Sequence, residues 1–177
     1  MAGASARERA ALVRLLVLDV DGVLTDGGLY YDAEGNVSKR FNVQDGLGIK
    51  VAQAAGLEIA VITGLESKAV EKRVRELGVE EYHAGHLAKA PLLEGMRRAR
   101  GLEWSQLAYL GDDWVDAGPL GLVGLPMAVA NAQPEILDLA AWVSVRPGGH
   151  GAVREAVRFI LDARGDLEAQ WALWRSR

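Results

Sequence analysis

The stretch LLVLDVDGVLTDGG, residues 15–28, places two acidic residues directly after a short apolar run. Leu15 to Leu18 predict a buried strand, and Asp19 and Asp21 follow it in a glycine-rich turn. Side chains two positions apart along a strand point to the same side, so the two carboxylates would lie together at the edge of an apolar core. Such a pair could form a functional site, although acidic residues after a strand are also common turn formers and helix caps.

The composition narrows the class of protein. A chain of 177 residues, 50% hydrophobic and 25% charged, is typical of one soluble globular domain. Its net charge of -4 gives no basic surface for nucleic acid, and the absence of cysteine excludes disulfides and thiolate metal sites. The apolar run near the amino end is too short to span a bilayer and has no cleavage site behind it. We therefore expect a cytoplasmic protein with no membrane partner.

Short apolar runs alternate with segments of helical spacing. This alternation predicts an α/β fold with an open, doubly wound parallel sheet. One segment breaks the pattern: residues 28–42 carry β-type residues on both sides of AEGN and predict a β-hairpin. We expect one domain over 1–177, with 1–13 and 166–177 as terminal tails. The predicted strands are 14–19, 57–63, 82–84, 106–110, 125–129 and 141–145, and the predicted helices are 45–55, 66–77, 89–100, 113–122, 134–140 and 150–164.

Polar residues stand where the predicted strands end. Ligands of open α/β sheets bind beyond the carboxyl ends of the strands, so these residues would converge if their strands are neighbours. Taken singly, each has an ordinary explanation, such as a solvated lysine or an acid in a first helical turn. Together they form one set: Asp19, Asp21, Thr63, Gly64, Lys89, Asp112, Asp113 and Asp116.

The chemistry of this set is coherent. At about 4 Å and an effective dielectric near 20, each pair of like charges costs about 4 kcal/mol, a cost that a divalent cation would reverse. The ligands on offer are all oxygen atoms, which favours Mg²⁺. A metal-bound carboxylate beside the Thr63 hydroxyl and the Lys89 ammonium would then bind a phosphate group.

The motifs DVDGVLTDG, VITG and GDDWVD, with Lys89 between the last two, resemble those of haloacid dehalogenase-like phosphatases. The segments FNVQDGLGIK, KAVEKRVRELG, LAYLGDD, MAVANAQPE and GGHGAVREA are similar to those of the 3-deoxy-D-manno-octulosonate 8-phosphate (KDO 8-P) phosphatases, from about Arg14 to Gly165. The resemblance implies a core without a cap domain and hydrolysis of a phosphorylated sugar acid. In lipopolysaccharide synthesis, such an enzyme would supply the free sugar acid.

The resemblance also implies a role for each site residue. Asp19 would be the nucleophile, and Asp21 would protonate the leaving group and then activate water. Mg²⁺ would be held by Asp19, the backbone carbonyl of Asp21, and Asp112. Asp113 and Asp116 would support the metal or orient Lys89. The candidates for substrate contact are Asp45, Gly46, Arg73 and Arg154.

Two positions depart from the family pattern and leave the substrate open. Leu65 follows the second motif where relatives carry arginine, and Gln44 also stands where several carry arginine. A nonulosonate 9-phosphate or another small phosphoester is therefore an alternative substrate. Two non-enzymatic alternatives are a phospho-receiver and an idle binding homologue. The order of the motifs argues against a receiver, whose acidic residues precede its threonine and lysine.

The spacing of the motifs leaves no room for a lid. The gaps between Asp21 and Thr63 and between Thr63 and Lys89 are too short for a separate domain. The resemblance implies a homotetramer in which hairpins and carboxyl-terminal tails close neighbouring sites. Residues 166–177 place Leu167, Trp171 and Trp174 on one helical face, which would pack either on its own domain or on a neighbour.

Overall fold

A computed structural model describes residues 4–176 of the chain; residues 1–3 and 177 of the two predicted tails lie outside the described part. Six parallel strands form one sheet in the order β5-β4-β1-β6-β7-β8, and two short strands form a separate antiparallel pair. In chain order the strands are β1 (Leu15–Leu18), β2 (Tyr30–Tyr31), β3 (Val37–Ser38), β4 (Glu58–Ile62), β5 (Glu81–His83), β6 (Leu107–Gly111), β7 (Leu125–Ala128) and β8 (Trp142–Val143).

Helices cover both faces of the sheet. On one side α2 packs against α7, which also contacts α1 and α8; on the other, α5 contacts both α4 and α6. The right-handed crossovers of parallel strands place the two groups on opposite faces. No helix in residues 4–176 is long and apolar enough to cross a membrane. The helices are α1 (Ala6–Ala10), α2 (Val43–Ala54), α3 (Lys68–Glu76), α4 (Ala90–Ala99), α5 (Ala117–Leu120), α6 (Pro134–Leu139), α7 (Ala152–Arg164) and α8 (Leu167–Arg175).

Strand β1 occupies the centre of the sheet. Leu15 pairs with Glu58 of β4 on one side and with Leu107 of β6 on the other. All four residues of β1 are fully buried, as an apolar run flanked by strands and covered on both faces requires. The polar residues that follow β1 therefore emerge between β4 and β6. The doubly wound parallel sheet predicted from the sequence is confirmed.

The predicted hairpin is also present. Tyr30 and Tyr31 pair with Ser38 and Val37, and an isolated bridge joins Phe41 to Thr25, which precedes the segment. The two tyrosines are 54% and 66% exposed, so the hairpin projects from the domain. The chain between Asp21 and Thr63 contains only this hairpin, α2 and the core strand β4, and the chain between Thr63 and Lys89 contains only α3 and β5. The expectation of a core without a cap domain is confirmed.

The structure corrects two details of the prediction. The segment 113–122 is not one helix: a 3₁₀ turn over Trp114–Asp116 precedes the short α5, because Asp116 points inward and its carboxylate accepts backbone N–H groups. Residues 4–13 are not merely a tail. They contain α1, whose Arg7 forms an ion pair with Asp162 of α7.

The carboxyl-terminal residues form α8, which folds back on its own domain. Leu167 and Trp174 are half-buried against the core, whereas Trp171 is 64% exposed. A cleft of about 570 Å³ runs between this helix, α2 and α7. The apolar face predicted for this segment is therefore shared between the domain and solvent.

Candidate active site

Asp19 follows β1 and is only 4% exposed. Its backbone N–H donates to the carbonyl of Leu110 at 3.1 Å, which continues the pairing of β1 with β6. Burial and then the nearby Asp116 carboxylate raise the pKa of Asp19 to about 7, against the opposing effect of Lys89. The first acid of the D-x-D pair is thus held in a dry, strongly anionic place.

Lys89 bridges two carboxylates. Its Nζ lies 2.7 Å from Oδ1 of Asp19 and 2.7 Å from Oδ1 of Asp116. The residue directly precedes α4 and is 1% exposed. Burial alone would lower its pKa, but the two carboxylates outweigh burial and the pKa is raised. Lys89 is therefore a buried structural and electrostatic partner of Asp19 rather than a solvated lysine at the start of a helix.

Asp116 is the centre of a hydrogen-bond network. Besides Lys89, its Oδ1 accepts from the Tyr109 hydroxyl at 2.6 Å. Its Oδ2 accepts from the backbone N–H groups of Asp112 at 3.0 Å and Asp113 at 3.4 Å. The side chain is fully buried. Of the two sequence interpretations of Asp116, this arrangement favours the one in which it orients Lys89.

Asp112 supplies the third carboxylate. One ligand oxygen from each of Asp19, Asp112 and Asp116 lies within 4.8 Å of the others. The Oδ1 atom of Asp112 is buried and has no hydrogen-bond partner among the described residues. Burial, then the carboxylates of Asp19, Asp116 and Asp113, raise the pKa of Asp112 to about 8. An orphaned buried oxygen within a set of hard oxygen donors fits Mg²⁺.

Gly22, the residue after the D-x-D pair, allows this close approach. Its φ is +89°, and a Cβ atom placed there would lie 2.0 Å from Oδ2 of Asp112. Glycine is therefore required both by the backbone conformation and by the space that the carboxylate needs. The loop before α7 packs closely against the same turn. A Cβ on Gly148 of that loop would lie 1.5 Å from the Gly22 carbonyl oxygen.

Thr63 and Gly64 follow β4, the neighbour of β1. Thr63 is 1% exposed, and its backbone N–H donates to the His83 carbonyl of β5 at 2.9 Å. Its Oγ1 receives only a long contact, 3.5 Å, from the N–H of Leu65. The hydroxyl proton thus remains available to a ligand. Leu65 itself is 51% exposed.

Asp21 has a partner that the sequence analysis missed. The Nζ of Lys39, which directly follows hairpin strand β3, lies 2.5 Å from Oδ1 of Asp21. The Lys39 side chain is 2% exposed and that of Asp21 is 27% exposed. In the sequence this partner is visible only as one lysine within the β-pattern SKRF. A lysine in such a pattern is equally typical of an exposed hairpin residue.

The four candidate substrate residues lie where α2 meets α3 and α7. Asp45 is 1% exposed, and its two oxygens accept from the backbone N–H groups of Gly151 and Arg154 at 3.1 and 2.8 Å, which caps α7. A Cβ on Gly46 would lie 2.2 Å from the Arg73 guanidinium. The Arg154 side chain borders the cleft beside α8. These contacts hold helices together; a substrate role for the four residues stays a prediction.

Comparison with known proteins agrees with this architecture, although no family model matches the chain. The KDO 8-P phosphatase KdsC of Yersinia pestis is 39% identical over 166 residues, which cover 94% of this chain and 89% of that protein. The KDO 8-P phosphatase of Moraxella catarrhalis, solved with magnesium, phosphate and KDO, aligns with a TM-score of 0.93 at 35% identity, over 96% of this chain and 97% of that one.

A second solved structure, the cobalt-bound deoxy-D-mannose-octulosonate 8-phosphate phosphatase of Haemophilus influenzae, aligns with a TM-score of 0.88 at 37% identity. The alignment covers 93% of this chain and 99% of that one. Identity at this level over nearly the whole length, together with the same fold, shows common descent. The chain belongs to the 3-deoxy-D-manno-octulosonate 8-phosphate phosphatase family of the haloacid dehalogenase superfamily.

Proposed function

We propose that this chain is a Mg²⁺-dependent phosphatase that hydrolyses KDO 8-P to the free sugar acid and inorganic phosphate. The observation that carries this proposal is the Lys89 ammonium, 2.7 Å from both Asp19 and Asp116, in a cluster whose third carboxylate, Asp112, has an orphaned oxygen. A buried cation among three carboxylates fits the binding of a phosphoryl group and a metal at the ends of β1 and β6.

Asp19 is the nucleophile of the first step. Lys89 engages its Oδ1 and so orients the carboxylate. A carboxylate oxygen of Asp19 attacks phosphorus, and the bond from phosphorus to the sugar oxygen breaks. Asp21 gives its proton to that oxygen, which leaves as an alcohol. The Thr63 hydroxyl donates a hydrogen bond to a phosphoryl oxygen.

Water completes the reaction. Asp21, now a carboxylate, takes a proton from the water that attacks the phosphorus of the aspartyl-phosphate. The bond between phosphorus and the Asp19 oxygen breaks, which releases phosphate and restores the nucleophile. Asp21 ends protonated, ready for the next leaving group.

Asp19 and Asp112, with the backbone carbonyl of Asp21, would hold Mg²⁺, as the sequence resemblance implies. When bound, the ion neutralises charge on the phosphoryl oxygens and offsets the repulsion between the carboxylates. Asp116 is occupied by Lys89, the Tyr109 hydroxyl and two backbone N–H groups, so its role is to orient Lys89 rather than to bind the ion.

The sugar-acid carboxylate needs a cation, although Gln44 and Leu65 replace the arginines of relatives. Arg146 offers one: its Nη1 donates to Oε1 of Gln44 at 2.9 Å, which brings a guanidinium to the position where relatives carry their own. A guanidinium pairs well with a carboxylate. A nonulosonate 9-phosphate carries the same carboxylate and remains the alternative substrate.

The assembly we propose is a homotetramer in which neighbouring subunits cover the active site. Support comes from the absence of a cap domain in the described fold and from the exposed apolar residues of the hairpin and α8, among them Tyr31 and Trp171. Exposed large apolar side chains such as these are available for burial in a subunit contact. The cytoplasmic location expected from the sequence belongs to the same proposal.

The test is phosphate release from a panel containing KDO 8-P, a nonulosonate 9-phosphate and simple sugar phosphates, compared by kcat/KM. We expect KDO 8-P to rank first, activity to require Mg²⁺, and Asp19→Asn to abolish it. A first rank for the nonulosonate would transfer the assignment to that substrate. Equal rates on all esters would refute a specific sugar-acid phosphatase.

A further inference from the structure

The hairpin places one buried cation, the Lys39 ammonium, in the active site. Its strands are exposed, yet the Lys39 side chain is 2% exposed and reaches Oδ1 of Asp21 at 2.5 Å. Burying an ammonium group is costly unless a charged partner compensates for the lost water. Asp21 is that partner, so the contact is a built feature of the site rather than a chance surface ion pair.

The two acids of the D-x-D pair thus have separate cations. Lys89 engages Asp19 from the start of α4, and Lys39 engages Asp21 from the hairpin. The D-x-D turn and the hairpin come from different parts of the fold, so their contact depends on how the hairpin is seated. Lys39 can therefore orient the Asp21 carboxyl group independently of Lys89, which contacts Asp19.

The base of the hairpin is fastened beside Lys39. The next residue, Arg40, donates to the Gly149 carbonyl at 3.0 Å and lies 3.6 Å from the Asp26 carboxylate. The bridge between Thr25 and Phe41 closes the loop one residue further on. These contacts anchor the backbone next to Lys39, whose buried ammonium contacts Asp21.

We infer that Lys39 is a positioning residue that holds the Asp21 carboxyl group toward the leaving-group oxygen, and that it acts on cleavage of alkyl phosphoesters. This inference rests on the proposed function. In the first step the electron pair of the broken phosphorus–oxygen bond moves to the ester oxygen, which takes the proton of Asp21. The carboxylate left on Asp21 is then paired with the Lys39 ammonium, as in the structure.

The chemistry of the leaving group separates positioning from a merely structural role. An alkoxide needs a proton in order to leave, whereas p-nitrophenolate leaves without one. Loss of Lys39 should therefore slow the first step for KDO 8-P far more than for p-nitrophenyl phosphate. A disturbed fold or metal site would slow both substrates alike.

The experiment uses the full-length protein loaded with Mg²⁺ and follows a single turnover by rapid quench, so that only release of the leaving group is measured. We compare the wild type with Lys39→Met, Lys39→Arg and, as a matched control, Lys72→Met on the exposed surface of α3. General-acid catalysis contributes about 10²- to 10⁴-fold, so we expect Lys39→Met to lose about 100-fold on KDO 8-P. On the aryl ester it should lose less than about threefold by the same reasoning.

Two further variants complete the design. Lys39→Arg should recover most of the alkyl-ester rate, and Lys72→Met should match the wild type. In an Asp21→Asn background, Lys39→Met should change the ratio of the two rates no further, because the acid it positions is gone. Should Lys39→Met fail to fold, Lys39→Gln, with an amide of similar length, provides the same ratio.

Equal losses on both esters, or no loss on either, would overturn the inference, as would an additional effect in the Asp21→Asn background. A wild-type protein that releases no leaving group from either ester would instead refute the proposed function. The two failures are therefore distinguishable.

Discussion

Without metal, this protein should lose stability as the pH rises, and Mg²⁺ should offset part of that loss. Burial raises the pKa of Asp19 from 3.8 to about 7 and that of Asp112 from 3.8 to about 8. Between pH 4 and pH 8 the unfolded chain therefore releases protons that the folded chain retains. Stability falls with pH wherever the unfolded state binds fewer protons.

The size of the stability loss follows from the size of the pKa shifts. One pKa unit corresponds to about 1.4 kcal/mol, so the rise at Asp19 predicts a loss of about 4 kcal/mol across this interval. The larger rise at Asp112 adds to this loss and extends it toward pH 8. Mg²⁺ binds the ionised carboxylates, and at about 100 times its Kd a ligand adds about 2.7 kcal/mol. The stabilisation by Mg²⁺ should therefore increase from pH 5 to pH 8.

The assay is urea denaturation at pH 5, 6.5 and 8, with EDTA and with saturating Mg²⁺. Asp112→Asn removes one buried charge, so at pH 8 the metal-free variant should be more stable than the wild type and gain nothing from Mg²⁺. Asp138→Asn, on the exposed surface of α6, is the control and should follow the wild type. A metal-free stability that rises from pH 5 to pH 8, or an Asp112→Asn variant less stable than the wild type at pH 8, would contradict this prediction.

Three further predictions concern the cation, the turn and the hairpin. Lys89→Met leaves two buried carboxylates uncompensated; we expect the free energy of unfolding to fall by about 3–5 kcal/mol and phosphate release to reach background, and an active variant would contradict this. Gly22→Ala forces a Cβ to 2.0 Å from Asp112, so Mg²⁺ titrations should show affinity at least tenfold weaker, and unchanged affinity would count against Asp112 as a ligand. Replacing Tyr30 and Tyr31 by serine should lower the mass measured by light scattering; an unchanged mass would remove the hairpin from the subunit contact.

The clustering of Asp19, Lys89 and Asp112 was predictable because parallel strands end at the same edge of a sheet. The apolar run Leu15–Leu18 indicates a central strand, and this places Asp19 at that edge beside the residues following β6. The placement of Lys89 at the same edge was predicted from its position directly before a helix, near Pro91. Pattern and topology are enough to assemble these residues without side-chain detail.

Lys39 and the inward turn of Asp116 were not predictable in the same way. An exposed hairpin lysine and a buried one look alike in sequence, since the contact with Asp21 depends on the seating of two distant segments. Asp116 has the spacing of an acid in a first helical turn. Only the fold reveals that Tyr109, Lys89 and two backbone N–H groups converge on its carboxylate.

The helix boundaries near the site also show where prediction from sequence fails. The periodicity of 113–122 favours one helix, but inward hydrogen bonds to Asp116 tighten the first turn into a 3₁₀ form. The helix predicted over 150–164 has nearly correct ends, since α7 spans Ala152–Arg164. Gly151, whose φ is +106°, stands directly before its first residue, so a glycine marks the start of the helix. Local patterns succeed where the chain follows its own preferences and fail where tertiary contacts override them.

In the mechanism we propose, the phosphoryl group passes through a covalent bond to the carboxylate of Asp19. Wild-type protein with Mg²⁺ and KDO 8-P would be quenched in acid during turnover, reduced with borohydride, digested and sequenced by mass spectrometry. We expect homoserine, the reduction product of an aspartyl-phosphate, at position 19, dependent on both substrate and Mg²⁺. Turnover with an unmodified Asp19, or with the modification on another carboxylate, would contradict the account.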